Sequence, residues 1–434
     1  MTTFKEATQY ILDIPKFAGK HTLEDTGRLL DEVTGGNVTS KVIHIAGTNG
    51  KGSVCAYLRA VLEQSGRTVG MFTSPHLVSI RERIMLGSEM ISKEDFVRIF
   101  EQVKEVCHRP EFADKHPSFF EFVFLMAMVY FGEKQPDYII LETGLGGRLD
   151  ATNSIKNPAI CIITEIGFDH MQYLGDTLAE IAGEKAGIIK SSVPVVFFDK
   201  RPETTEVLQK AAEKTKSQTV IIKNANILNV NIGNKTIDFS LHTGYYKYDS
   251  LILATRALYQ TENASLAVAA AHVLMGADGQ ITPEAVKEGL VRAYWPGRME
   301  EVFPGVFLDG AHNEDGIEAF LQTVKASRCT GTRSLLFGVV ADKQYRGMID
   351  KIVKSQLFDR VAVTVLESDR SASLDTLREI WRQYNQVDLS FHESAEDAYQ
   401  CLVSEKQEAD EIYIAGSLYL IGQLKALMRS KPDD

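Results

Sequence analysis

The sequence predicts an α/β protein of two domains: an N-terminal one over residues 1–295 that carries a small antiparallel β insertion, and a C-terminal α/β domain over residues 296–434. Three observations carry that expectation. Val42–Ser53 reads as an apolar strand, a loop with three glycines in six positions, and the start of an apolar helix. From Gly305 onward strand and helix patterns alternate, the signature of a doubly wound parallel sheet of ~130 residues. A chain of 434 residues also exceeds what one hydrophobic core usually supports.

Composition narrows the function. With 44% hydrophobic and 24% charged residues the chain reads as an ordinary globular protein. A net charge of −11 opposes nucleic acid as a general partner, so an anionic ligand must be held by local positive features. The first residues, Met-Thr-Thr-Phe-Lys-Glu, contain no apolar signal region, and the longest apolar run, Phe122–Phe131, is too short for a bilayer span. A cytoplasmic protein without a membrane partner is expected. Cysteines 55, 107, 161, 329 and 401 show no paired or metal-type spacing, which fits reduced thiols.

In chain order, residues 4–34 read as helical segments around a Gly19-Lys20-His21 break, with Thr22 placed to cap Leu23–Val33. The glycine-rich loop follows. Its glycines let backbone N–H groups point inward, the helix start adds partial positive charge, and Lys51 adds a full one, so a nucleotide phosphate is the natural guest. The strict phosphate-loop pattern is broken twice, by Ile45 five residues before Gly50 and by Gly52 between Lys51 and Ser53. A tight strand-to-helix turn with a solvated lysine is the plain alternative. Arg67–Phe72 reads as a strand ending in Thr73-Ser74-Pro75-His76, whose hydroxyls suit Mg²⁺ or phosphate, or simply a turn. Arg81 and Arg83 could take an anionic substrate or form a solvated face. A helix runs from Ser92 to Val106, and a buried one starts at Glu121, where a carboxylate also suits the helix dipole.

The second strong signal is Tyr138–Asn153, an apolar strand ending at Glu142 in another glycine-rich loop. A carboxylate at a strand tip is a common way to hold a nucleotide's metal, because parallel strands converge their C-terminal ends on the ligand crevice. The strand Ala159–Thr164 is expected to deliver Asp169-His170 to the same edge; a lone Asp-His pair is more often a satisfied structural pair, but this one emerges at a third strand end. Thr177 and Glu180 then form a capping box, and Leu178, Ile181 and Lys185 follow at i, i+3 and i+7. An amine on an apolar face either snorkels outward or has its pKa depressed. In the second case it can take up CO₂ as a carbamate, an anionic oxygen ligand for a hard cation. Short alternating segments over Val220–Ala254 predict the antiparallel insertion. An Ala-rich helix covers Thr261–Met275 with Asn263 in its first turn, and Tyr294–Arg298 marks the domain junction. Beyond it, polar residues collect at the predicted strand ends as Asp309–Asn313, Asp342-Lys343 and Gly416-Ser417.

These motifs together resemble the folylpolyglutamate synthases and bifunctional dihydrofolate synthases of the Mur ligase superfamily. The carrying stretches are His44–Ser53, Thr73–His76, Glu142–Asn153, Gly183–Lys190, Trp295–Arg298, Leu308–Asn313 and Gly416–Tyr419. The resemblance implies a P-loop-type nucleotide-binding domain, a C-terminal Rossmann-like domain, and ATP-dependent ligation of L-glutamate to folates, with dihydropteroate as a further acceptor. It also implies residue roles. Gly47, Thr48, Asn49, Gly50, Lys51, Gly52 and Ser53 would hold the ATP phosphates. Ser74 and Glu142 would bind one Mg²⁺, and Glu142, His170 and a carbamate on Lys185 a second, so that Lys51, His170 and Lys185 are the catalytic candidates. Asn263, Arg298, Asp309 and His312 would contact ATP. Ser417 and Arg298 would place glutamate, and Phe119, Glu121, Arg81 and Arg83 are candidates for folate.

Two departures from the family pattern stand out. Ala257 replaces a Gly before Tyr259-Gln260, and Asp369-Arg370-Ser371-Ala372 stands where Pro-Arg-Ala is common, which leaves the role of Arg370 open. A monomer acting on small molecules is expected. The rival readings are a ligase acting on a UDP-linked peptidoglycan precursor, and a nucleotide-dependent switch. The first normally carries an additional UDP-binding domain, and only roughly 40 residues precede the phosphate loop here, too few for one.

Overall fold

A computed structural model describes residues 2–15, 22–112, 115–368, 370–384 and 388–429. The Gly19-Lys20-His21 break and Asp369 lie outside the described residues. The chain separates into two compact units. One comprises Met1–Leu228, Ser240–Ile252 and Glu262–Ala293; the other comprises Asn229–Phe239, Leu253–Thr261 and Tyr294–Asp434.

The first unit is built on an eight-stranded sheet of β1 (Lys41–Ala46), β2 (Val69–Phe72), β3 (Ile84–Leu86), β4 (Glu89–Met90), β5 (Tyr138–Glu142), β6 (Ile160–Ile163), β7 (Val195–Asp199) and β8 (Thr219–Lys223), ordered β4-β3-β2-β5-β1-β6-β7-β8. Only the β2–β3 and β3–β4 pairings are antiparallel. Its helices are α1 (Phe4–Asp13), α2 (Leu23–Thr34), α3 (Lys51–Gln64), α4 (Lys93–Cys107), α5 (Phe119–Lys134), α6 (Met171–Leu174), α7 (Leu178–Ala186), α8 (Pro202–Thr215), α9 (Gln260–Met275) and α10 (Pro283–Arg292). The central strands β1, β5 and β6 are nearly continuous apolar runs, as burial on both faces requires. Their register pairs Ile45 with Glu142 and Ala46 with Ile163, so the phosphate-loop strand, the Glu142 strand and β6 all end at one edge.

Local chemistry explains the helices. Capping boxes open α2 (Thr22 with Asp25), α5 (Ser118 with Glu121) and α7 (Thr177 with Glu180). Helix α5 is apolar on all sides because Phe122–Phe131 is buried throughout. Helices α3 and α10 meet backbone to backbone: a Cβ on Gly289 would lie 2.5 Å from Val61 Cα, so only glycine permits this approach.

Three features depart from the sequence reading. The expected insertion over Val220–Ala254 starts too early, because β8 pairs in parallel with β7 as the edge of the large sheet. A half-buried edge strand alternates just as an antiparallel ribbon does. The separate sheet is β9 (Ile227–Ile232), β10 (Ile237–His242) and β11 (Lys247–Leu253), ordered β11-β10-β9. The β3–β4 hairpin, turned at Gly87 with φ +60°, gave no periodic signal over so few residues.

The third unexpected feature, β12 (Arg298–Phe303), is the antiparallel edge of the second unit's six-stranded sheet. Parallel strands β13 (Val306–Asp309), β14 (Arg333–Phe337), β15 (Arg360–Thr364), β16 (Asp388–His392) and β17 (Glu411–Ala415) complete it, in the order β12-β13-β17-β14-β15-β16. Helices α11 (Glu314–Ala326), α12 (Tyr345–Ser355), α13 (Leu374–Trp381), α14 (Ala395–Glu405) and α15 (Leu418–Arg429) alternate with them. Phe307, Phe320, Phe337, Trp381 and Tyr413 form the aromatic centre of that core. No described helix is long and apolar enough to cross a membrane.

Candidate active site

The loop between β1 and α3 is held open by its own backbone. Gly47 and Gly50 have φ of +154° and +89°; a Cβ at the first would collide with Thr164 Oγ1, and at the second with Asn263 Oδ1. The loop is tied to the end of β6: Thr48 N–H donates to Glu165 O at 2.7 Å, Thr164 Oγ1 to Asn49 O at 2.6 Å, and Thr48 Oγ1 to Gly167 O at 3.1 Å. Helix α3 opens at Gly50 with no side-chain cap and no acidic residue in its first turn. Its first N–H groups therefore face the loop without a carboxylate competing for them.

Two lysines converge on one carbonyl. Lys51 Nζ donates to Gly47 O and Thr48 O, each at 3.2 Å, and Lys185 Nζ donates to the same Gly47 O at 2.9 Å. Glu142, almost fully buried, has Oε1 4.0 Å from Lys51 Nζ and accepts the Ser74 N–H on Oε2 at 3.0 Å. Lys185 is 2% exposed, and burial, reinforced by the Lys51 charge, pulls its pKa down to about 7 against the opposing fields of Asp169 and Asp150. Of the two sequence readings for Lys185, the amine is buried rather than snorkelling.

The second glycine-rich loop packs on the helix that carries this amine. A Cβ on Gly147 would meet Glu184 O at 2.8 Å, Asn153 Nδ2 donates to Arg148 O and Gly187 O, and Arg148 pairs with Glu184 at 2.7 Å. His170 caps α6 in the left-handed region at φ +52°, with Nε2 3.9 Å from Asp169 Oδ1. Among the described residues no three His, Cys, Asp or Glu side chains gather to hold a metal by themselves. Glu142 and the Ser74 hydroxyl are hard oxygen donors that suit Mg²⁺ once phosphate oxygens complete the shell.

In the second unit Asp309, at the end of β13, is buried and accepts from Tyr259 Oη at 2.5 Å, Ala311 N–H at 2.9 Å and Met299 N–H at 3.1 Å. Burial raises its pKa, opposed by Arg298 and these donors. Arg298 Nη1 donates to Gly297 O and lies where a Gly310 Cβ would sit, and His312 Nδ1 lies 2.7 Å from Gly310 O. Ser417 is buried, and its Oγ accepts the Tyr419 N–H at 3.1 Å. Arg370 pairs with Asp342 and donates to Tyr419 Oη at 3.2 Å.

The structure thus gathers Gly47–Ser53, Asn263, Glu142, Ser74 and Lys185 within the first unit, and Arg298, Asp309 and His312 within the second. The remaining candidates make local contacts. Glu121 accepts the Ser118 N–H at 2.7 Å as a cap, Arg81 donates to Ile91 O, and Arg83 donates to His76 Nδ1 while lying 5.1 Å over the Phe119 ring. Burial, reinforced by the Arg83 charge, takes the His76 pKa down to about 3, so the ring is neutral and accepts this bond. Thr164, Glu165 and Asp150 escaped sequence reading, although a hydroxyl at the β6 tip was a usable signal.

This geometry has known counterparts. Residues 45–271 match the Mur ligase middle domain and residues 297–418 the Mur ligase glutamate ligase domain, so the fold and site define an ATP-dependent ligase of the Mur ligase class. The dihydrofolate synthase/folylpolyglutamate synthase of Bacillus subtilis is 34% identical over 441 residues, covering 99% of this chain and 100% of that protein. A crystal structure of folylpolyglutamate synthase from Thermotoga maritima superposes with a TM-score of 0.81 at 31% identity, over 99% of this chain and 98% of that one. The Mycobacterium tuberculosis folylpolyglutamate synthase complexed with ADP gives a TM-score of 0.87 at 27% identity, over 99% of each chain. Within the Mur ligases the chain belongs to the folylpolyglutamate synthase/dihydrofolate synthase family.

Proposed function

We propose that the chain couples ATP cleavage to amide formation between the amino group of L-glutamate and a carboxylate of a folate, and that it takes dihydropteroate as a second acceptor. The acceptor carboxylate oxygen attacks the γ-phosphorus and ADP leaves. Glutamate nitrogen then attacks the acyl phosphate carbon, phosphate departs and the nitrogen loses a proton. The observation that carries this reading is the meeting of Lys51 and Lys185 on the Gly47 carbonyl beside Glu142. Nucleophile and phosphoryl group are both anionic: Lys51 offers the positive charge that screens their repulsion, while Lys185, with its pKa brought down to about 7, is the amine that carries the carbamate.

In this reading the Gly47–Ser53 amides and the α3 start hold the phosphates, and Lys51 leaves its loop carbonyls for phosphate oxygens. Ser74 and Glu142 would hold one Mg²⁺; Glu142, His170 and Lys185 carbamate would hold a second, with charge screening as the chemistry the ions supply. Asn263, Arg298, Asp309 and His312 bind ATP, Ser417 and Arg298 orient glutamate, and Phe119, Glu121, Arg81 and Arg83 face the folate. No protein nucleophile is needed. We further infer a monomer acting in the cytoplasm. The dihydropteroate activity is supported by the name of the Bacillus subtilis relative and by an Escherichia coli FolC structure solved in complex with DHPP and ADP at 25% identity.

The test offers the purified protein Mg-ATP and glutamate with tetrahydrofolate or dihydropteroate in turn, and reads product masses. A gain of one glutamyl residue on each acceptor is expected. No gain on either overturns the ligase reading, and a gain on tetrahydrofolate alone removes the second acceptor.

A further inference from the structure

Strand β1 carries one histidine in its apolar run. His44 is fully buried, and the chemistry proposed above makes no use of it. Its Nε2 lies 2.8 Å from Thr152 Oγ1. That hydroxyl donates its single proton to Asp150 Oδ1 at 2.5 Å, so the imidazole must be the donor to Thr152, which fixes the Nε2–H tautomer. Asp150 Oδ1 also accepts the Thr152 N–H, while Oδ2 accepts the N–H groups of Gly144 at 2.8 Å and Leu145 at 2.9 Å. A buried relay therefore runs from the strand that feeds the phosphate loop to the backbone two residues beyond Glu142.

Stability does not explain a histidine at this point. Its Nδ1 has no partner among the described residues, and burial, with the nearby Lys190 charge, drives the ring to its neutral form, its pKa down to about 3. A leucine on this strand would avoid desolvating an imidazole and leaving a ring nitrogen unpaired. What leucine would lose is the N–H that orients Thr152.

We propose that His44 is a positioning residue for the ligation: through Thr152 and Asp150 it holds the Gly144–Leu145 backbone, and with it the end of β5 at Glu142. Its effect on turnover rests on the ligase reading; its effect on the loop does not. The loop has little slack, since a Cβ on Gly144 would lie 2.7 Å from the Phe120 ring. The phosphate loop, by contrast, is fastened to Thr164, Glu165 and Gly167. Loss of the relay should therefore lower kcat and leave the KM for ATP almost untouched.

The experiment compares His44→Leu with His44→Gln, whose amide N–H can replace Nε2–H, and reads steady-state kinetics, melting temperature and amide exchange over residues 143–150. His44→Leu is expected to lower kcat at least about tenfold, with ATP KM within about threefold, as a small misplacement at a reacting centre does. Exchange at Gly144 and Leu145 should quicken at least about tenfold, the melting temperature should hold or rise, and His44→Gln should restore both readouts. Wild-type kcat and exchange in His44→Leu, or equal impairment in His44→Gln, overturns the proposal. If His44→Leu does not fold, Thr152→Val against Thr152→Ser decides on the same readouts, with only the serine expected to preserve them. If the wild-type protein shows no ligation, exchange alone decides, which separates this claim from the reaction assignment.

Discussion

Removing the Lys185 amine is the sharpest test of the site. An amine with its pKa brought down to about 7 is roughly nine-tenths neutral at pH 8, whereas an ordinary lysine is about 0.3% neutral there. The population able to add CO₂ is thus raised about 300-fold by burial and the Lys51 charge. Lys185→Ala should cost at least about a hundredfold in kcat if the carbamate helps to hold a metal against the γ-phosphate. Short-chain carboxylates should recover part of it, and ¹³C-bicarbonate should give the wild-type protein a carbamate resonance that the variant lacks. Stability supplies an independent reading. Because the native amine titrates below the unfolded one, charging it opposes folding fully below pH 7, and that penalty fades as pH rises from about 7 to 10.5. Stability of the wild type should climb across this window relative to Lys185→Met. Unchanged turnover in Lys185→Ala, or loss without rescue and without a carbamate signal, would refute the reasoning.

Two glycine substitutions probe the backbone. Gly50→Ala forces a left-handed residue costing about 1–2 kcal/mol and drives its Cβ into Asn263, so ADP affinity measured by calorimetry should fall at least about tenfold. Gly289→Ala places a methyl 2.5 Å from Val61 Cα, and the overpacking should cost about 1–3 kcal/mol in thermal unfolding, while kcat per folded molecule stays unchanged.

The sequence by itself determined those features whose signal is a cap, a period or an abrupt strand end within a few residues. Capping residues Thr22 and Thr177 open their helices as read, because a cap and the N–H groups it satisfies lie within one turn. The strand tips at Glu142, Asp309 and Ala415 were legible because an apolar run ends abruptly in Gly and polar residues. Only tertiary structure decided which strands pair. Residues 219–223 alternate like a flap strand yet close the large sheet, and Arg298–Phe303, which begins at the end of the Tyr294–Arg298 junction and for which no element is expected from sequence, pairs with β13. The same holds for the chemistry. Periodicity put Lys185 on an apolar face but could not choose between a snorkelling amine and a buried one; that follows from a Gly47 carbonyl 138 residues away. His44 reads as one polar residue in a hydrophobic strand until Thr152, 108 residues later, is folded against it. Burial and partnership over such distances depend on the whole packed sheet, and no local window of sequence contains them.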